Sequence, residues 1–288
     1  MLKRMLFAAA GLAAVTLALP AQANILVTYP DFTSACTGGS LTCVGSAGTV
    51  GPVLRLTPNA DGQSGAAYST TPITLGAGNT FSTKFQFQIT NPGGIAPADG
   101  ITFVLSAGSS GLGTGGGGLG YQGVPNSVAI EYDTYPNGGV DAGNSSNHVA
   151  IDLNGHVADG SADSDQAGGY PYGVSSCGFG GGVGCLSNGD VWTTTIGYDG
   201  SNLNVTVQDD SGAVETIISN YVVDLSTVLG TSNAFVGFTS GTGAGNENHD
   251  ILNWQFANTT QLAAAPEPAS LALLGAGFAG LGLLRRRR

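Results

Sequence analysis

After residue 24 the chain runs in short stretches of alternating apolar and polar side chains, each soon cut off by a cluster of Gly, Asn, Asp and Ser. No stretch of useful length repeats its apolar residues every three or four positions, so helices cannot form the body of the fold. Period-two alternation with turn punctuation describes strands that bury one face. Phe81, Phe85, Phe87 and Ile89 share such a face, and 101–105, 128–133, 149–153, 191–198, 203–207, 234–239 and 251–256 are further strands. In the last of these, Leu252, Trp254 and Phe256 should point one way and Ile251, Asn253 and Gln255 the other. Gly 48 and Pro 12 of 288 residues is a high share, but 42% hydrophobic residues argue for a packed core and against low complexity. The expectation is all-β: one antiparallel β-sandwich of jelly-roll type over residues 24–262.

The charges exclude several partners. Outside the two chain ends only Arg55 and Lys84 are basic, against eighteen of the nineteen acids. Nucleic acid is bound through clustered Lys and Arg, which this core lacks, and anionic membrane surfaces are disfavoured for the same reason.

Residues 1–23 read as a secretory signal peptide: Lys3 and Arg4, an apolar run from Leu6 to Leu19, then Ala21-Gln22-Ala23 as a small-x-small cleavage site. At the other end, within 263–288, Pro266-Glu267-Pro268 precedes an apolar stretch from Ala269 to Leu284 and the cluster Arg285 to Arg288. Sixteen helical residues span about 24 Å, short of a ~30 Å hydrocarbon core, and the basic end marks a stop-transfer signal. These three parts resemble the PEP-CTERM sorting signal of Gram-negative bacteria. The resemblance implies an exosortase that removes the tail, transient membrane contact through the C-terminal helix, and a final place at the cell surface or in the extracellular matrix. A plain C-terminal anchor is the alternative.

Four cysteines in an exported chain suggest disulfides. Three pairings are possible. Cys36 with Cys43 and Cys177 with Cys185 is favoured, because each pair flanks a short, turn-rich loop. No Cys-x-x-Cys spacing supports a zinc site.

The chemistry concentrates in residues 128–154. Along a strand Val128, Ile130 and Tyr132 face one way, and Glu131, Asp133 and Tyr135 the other. Asn137 and Asp141 follow in a Gly-containing loop, and His148 opens the next strand, which can return beside Glu131 and Asp133. No Lys or Arg lies between residues 85 and 284, so a divalent cation is the economical counterion for these carboxylates. Asp and Asn oxygens with a backbone carbonyl suit Ca2+; a site with a His nitrogen suits a transition metal such as Mn2+. The alternative is a set of solvated loop acids.

This segment is similar to the metal-binding segment of the legume (L-type) lectins. Three other stretches support the likeness, in the same order: Pro97-Ala98-Asp99-Gly100-Ile101-Thr102-Phe103-Val104-Leu105, Gly115-Gly116-Gly117-Gly118-Leu119-Gly120, and Gly237-Phe238-Thr239 followed by His249-Asp250-Ile251-Leu252-Asn253-Trp254-Gln255-Phe256. The resemblance implies a concanavalin A-like sandwich that binds carbohydrate. Glu131 and His148 would bind the transition metal, and Asp133 and Asp141 both ions. The Tyr135 carbonyl and the Asn137 side chain would bind Ca2+. Asp99, held by a cis Ala98–Asp99 peptide, would accept hydrogen bonds from sugar hydroxyls, and the Asn137 amide and a backbone N–H near Gly117 would donate. The Tyr135 ring would cover the sugar's apolar face, and the loop with Gly243, Ala244 and Gly245 would select. The ligand would be a neutral sugar of an exopolysaccharide or surface glycan. At ~1 kcal/mol net per hydrogen bond a single site is weak, so useful binding calls for multivalency, to which an oligomer is one route. The spacing departs from the usual pattern. Three residues separate Asn137 from Asp141 and six separate Asp141 from His148, where four, and then four or five, are usual.

Two other readings compete. Jelly-roll glycoside hydrolases carry Glu-x-Asp with a second Glu on the same strand; here Thr134, Tyr135 and Pro136 follow and that Glu is missing. A structural matrix or surface protein could use the same scaffold without sugar binding. Gly-x-Ser-x-Gly is absent, the 111–118 glycine run lacks the Lys-Ser/Thr of a phosphate loop, and His156 and His249 read as surface or framework residues.

Overall fold

The aromatic face at residues 81–89 becomes the inner side of a 14-residue strand at the centre of one of two packed sheets. The computed structural model describes residues 25–108, 111–138, 144–157 and 162–262. Among these, nearly all regular structure is strand: β1 (Ile25–Tyr29), β2 (Leu41–Gly45), β3 (Gly48–Val50), β4 (Val53–Thr57), β5 (Ser64–Ser69), β6 (Ile73–Thr74), β7 (Phe81–Gly94), β8 (Gly100–Ser106), β9 (Ser127–Asp133), β10 (His148–Leu153), β11 (Gly168–Gly169), β12 (Val191–Tyr198), β13 (Asn202–Gln208), β14 (Val214–Val222), β15 (Asn233–Gly241) and β16 (Gly245–Ala257). The one α-helix described, α1 (Leu225–Leu229), is a single turn capped by the Asp224 side chain and stopped by Gly230.

The back sheet runs β14-β13-β12-β7-β16-β4-β3, with β1 also on β16. The front sheet runs β11-β10-β9-β8-β15-β5-β2, with β6 on β15. Every pairing is antiparallel. The inner faces close on Phe81, Phe85, Phe87 and Ile89 from one side and Phe103, Ile130, Tyr132 and Phe238 from the other. Edge-to-face pairs at 4.9 Å (Phe85–Phe238) and 5.0 Å (Phe238–Trp254) knit the two sheets.

The face expected for 251–256 is corrected at one end. Ile251 is fully buried with Trp254 and Phe256, while Leu252 is half-buried. The pairing of β16 with β7 shifts register between Ile251 and Asn253; such an irregularity exchanges which face a side chain meets.

A smaller apolar cluster lies outside the front sheet. Ala66, Tyr68, Val104 and Ala129 point away from the main core and are covered by Leu119, Tyr121, Val124 and Val157. This cluster anchors the long connection between β8 and β9. The ends of the front strands then coincide: Gly100 starts β8 opposite the end of β9 at Asp133, Asp133 faces His148 at the start of β10, and Gly241 ends β15 beside Gly100. The chemistry-bearing residues gather at that end. Both disulfides are the local ones, Cys36–Cys43 and Cys177–Cys185.

Candidate carbohydrate and metal site

Asp99 sits at the entrance of β8, only 3% exposed, after a cis Ala98–Asp99 peptide. Its N–H donates to Gly241 O (3.1 Å), and its own carbonyl accepts from the Thr134 N–H (2.8 Å), so both neighbouring strands fix it. The Asn137 side chain and the Gly243 backbone hydrogen-bond to its carboxylate, while the buried Oδ2 has no hydrogen-bond partner. Burial pushes this carboxyl up to about 6.

Two glycine loops close on it. A Cβ on Gly117 would lie 2.2 Å from Asn137 Nδ2, too close unless that side chain moved, and one on Gly243 would lie 3.3 Å from Asp99 Oδ2, a tight approach. Asp99, Gly117, Asn137 and Gly243 therefore share one corner. Ala244 is exposed beside it, whereas Gly245 turns inward, where a Cβ would meet Ala96 O at 2.5 Å. Tyr135 is half-buried just past the end of β9, and its N–H donates to Asp133 Oδ1 (2.7 Å). A third loop, unmarked in the sequence, supports the corner: Gly62 N–H donates to Gly243 O (2.9 Å), Thr242 N–H to Gln63 O (2.9 Å) and Asn246 Nδ2 to Asp61 Oδ1 (2.6 Å).

The outward face of β9 and β10 adjoins this corner. Glu131 and Asp133 on β9 and His148 and Asp152 on β10 are all buried. His148 Nε2 lies 2.9 Å from Glu131 Oε1 and 3.6 Å from Asp165 Oδ1. Asp165 comes from the loop after β10, outside the segment to which the sequence pointed. Burial raises the Glu131 carboxyl to about 7 against the pull of His148. For His148 itself burial works against the charged ring, but the Glu131 charge and the bonds from Asp165 and Glu131 win and hold its proton well above the usual range. Asp141 lies outside the described residues. Among the described residues no Lys or Arg answers these acids: Arg55 makes a two-pronged bond to Asp250 (2.8 and 2.7 Å), and Lys84 is exposed on the back sheet.

The legume lectin domain model matches residues 25–272. This chain belongs to that family. Among curated relatives of this lectin domain, the lectin alpha chain of Lablab purpureus is 30% identical over 226 residues, covering 71% of this chain and 72% of that protein. An L-type lectin-domain containing receptor kinase of Arabidopsis thaliana is 31% identical over 187 residues, 62% of this chain but 24% of the kinase. In structure, the Lotus tetragonolobus seed lectin superposes with a TM-score of 0.64 at 24% identity, covering 83% of this chain and 99% of that one. Basic winged bean lectin with Tn-antigen gives 0.58 at 27% identity, with 75% and 91% covered. The relatives are lectins or, in the kinase, carry a lectin domain, and lectins bind carbohydrate without acting on it. A PEP-CTERM protein-sorting motif matches residues 264–288, the mark of export and sorting to the cell surface.

Two supports of this lectin domain's candidate site lie outside the residues that the sequence assigned to sugar or metal. Behind Asp99, Glu247 and His249 are wholly buried. Thr134 Oγ1 donates to Glu247 Oε1 (2.6 Å); His249 Nε2 lies 3.5 Å from that oxygen, and its Nδ1 bonds Thr57 Oγ1 (2.7 Å). Thr57 continues to Ser240 Oγ (2.9 Å), which donates to Gly100 O (2.8 Å), so the chain of bonds ends one residue past Asp99. His249 is a framework residue of the site, not a surface one. On the other flank, the loop closed by Cys177–Cys185 holds residues 145–147: Asn147 Nδ2 donates to Val174 O (2.7 Å) and Gly184 O (2.8 Å), and Ser146 Oγ to Cys177 O (3.0 Å).

Proposed function

We propose that residues 24–262 form an exported, metal-dependent lectin for neutral sugars of an exopolysaccharide or surface glycan, between a signal peptide at 1–23 and a sorting signal at 263–288 for an exosortase. The observation that supports it most is the corner where Asp99 offers a buried, unpartnered Oδ2 beside the Asn137 amide and the bare backbone of Gly117 and Gly243. A carboxylate next to an amide matches vicinal hydroxyls, each of which both donates and accepts. Asp99 takes the hydroxyl protons, Asn137 Nδ2 and the Gly117 backbone give theirs, and the Tyr135 ring would cover the C–H face of the sugar. The Gly243–Ala244 turn borders the corner and sets which sugar fits.

The donor set fits metals. Glu131, Asp133 and His148 suit a transition ion such as Mn2+, and Asp133, Asn137 and the Tyr135 carbonyl suit Ca2+, with Asp141 expected to join both. The ions would supply positive charge that holds these oxygens together and so fixes Asn137 against Asp99. Catalysis is not part of the reading: Thr134, Tyr135 and Pro136 stand where a hydrolase would place its second Glu.

The test is a glycan array probed with the exported protein, with and without EDTA. Binding that EDTA abolishes and Ca2+ with Mn2+ restores is expected. No EDTA-sensitive binding to any glycan would favour a structural matrix protein instead, and release of reducing sugar would favour an enzyme.

A further inference from the structure

We infer that Asp165, on the loop between β10 and β11, is a direct ligand of the transition-metal ion and closes the pocket walled by Glu131 and His148. The inference rests on the metal-dependent reading above and adds to it a ligand from outside the 128–154 segment. The ligand atoms of Glu131, His148 and Asp165 all lie within 4.8 Å of one another. Two carboxylate oxygens, Glu131 Oε1 at 2.9 Å and Asp165 Oδ1 at 3.6 Å, converge on the same nitrogen, His148 Nε2. One imidazole N–H serves one acceptor well; a second carboxylate on that nitrogen is the arrangement a shared cation would use.

Asp152 supplies an independent observation. It is wholly buried beneath the pocket, and its Oδ1 accepts the Asp165 N–H (2.9 Å), which sets where that residue stands. Its Oδ2 has no hydrogen-bond donor and its carboxylate contacts that of Glu131. A buried acceptor facing other acceptors is costly unless a positive charge joins them. A loop acid with no such task would turn to water. Asp165 instead turns inward, its side chain only 13% exposed, toward two other carboxylates, and it does so from a left-handed backbone (φ 49°). One imidazole with several carboxylates is a donor set for Mn2+ or a similar ion and not for Ca2+.

The test uses the full exported protein stripped with EDTA and titrated with Mn2+, read by the EPR signal of free Mn2+ and by metal analysis after dialysis. Asp165→Asn should weaken Mn2+ binding at least about tenfold, the scale on which metal sites lose affinity when a supporting group is removed. Asp163→Asn, in the same loop, should leave it within twofold. The metal-free melting temperature of Asp165→Asn should equal or exceed that of the unaltered chain, since a like charge is gone, while the rise on adding Mn2+ shrinks; a merely structural Asp165 would lower both. Asp165→Glu should recover part of the affinity. Unchanged Mn2+ affinity in Asp165→Asn, with loss in Glu131→Gln, would overturn the ligand assignment alone. No uptake of any transition metal by the unaltered chain would overturn the metal-dependent reading with it.

Discussion

Asp99 combines two demands that oppose each other. In the proposed reading it must be ionised to accept sugar hydroxyls, yet it is buried, which favours the protonated form. Burial pushes its carboxyl up to about 6, so sugar binding should weaken at acid pH. Binding measured by calorimetry at pH 5 and pH 8 checks this; equal affinity at both would mean that Asp99 is not the acceptor. Asp99→Asn should abolish binding at every pH without lowering the metal-free melting temperature, because the substitution removes a buried charge and keeps the shape. The residue types at this corner were legible because they stand in an ordered set of motifs. Asp165 was not, because Ala162-Asp163-Ser164-Asp165-Gln166 reads as a polar loop and only tertiary folding turns one of its acids inward.

At the level of elements, periodicity revealed strands with large alternating side chains. The 191–198 run became β12 without change of limits, and 128–133 and 149–153 grew by one residue each. β5 gave no such signal: Ser64–Ser69 is rich in Gly, Ala and Ser and buried almost throughout, so apolar and polar faces do not alternate. β14 is an exposed edge strand with register shifts against β13, which blur its period. The bonds linking β9, β16, β4 and β15 behind Asp99 were equally hidden, since they depend on register. Glu247→Ala should cost about 1–3 kcal/mol by leaving the buried Thr134 hydroxyl without its acceptor. Urea unfolding measures that cost, and sugar affinity should fall with it; Glu247→Gln, which keeps an oxygen for Thr134, should recover most of both. Replacing Cys177 and Cys185 by Ser should cost roughly 2–4 kcal/mol and loosen the start of β10. Weaker metal binding in that variant, against unchanged binding in the corresponding Cys36 and Cys43 variant, would separate support of the site from general stability.

At the level of the whole molecule, acid accumulates where, among the described residues, no Lys or Arg answers it. The Asp99, Glu131 and Asp152 carboxyls are all raised, first by burial, and His148 is raised as well. For each group the folded protein holds its proton more tightly than the unfolded chain does. For Asp99 and Glu131 the stability this gives is full below the unfolded carboxyl values, near 4, and is lost as pH rises through about 6 and about 7. The metal-free melting temperature should therefore fall between pH 5 and pH 8, and Ca2+ with Mn2+ should flatten the trend; a rise with pH in EDTA would contradict it. A last consequence lies in the direction of β16. Its first residue, Gly245, borders the candidate sugar corner, and its last, Ala257, pairs with Ile25 at the far end of a 13-residue strand. At about 3.4 Å per residue the two ends stand roughly 40 Å apart. Attachment at that far end would present the corner outward, toward whatever approaches the cell.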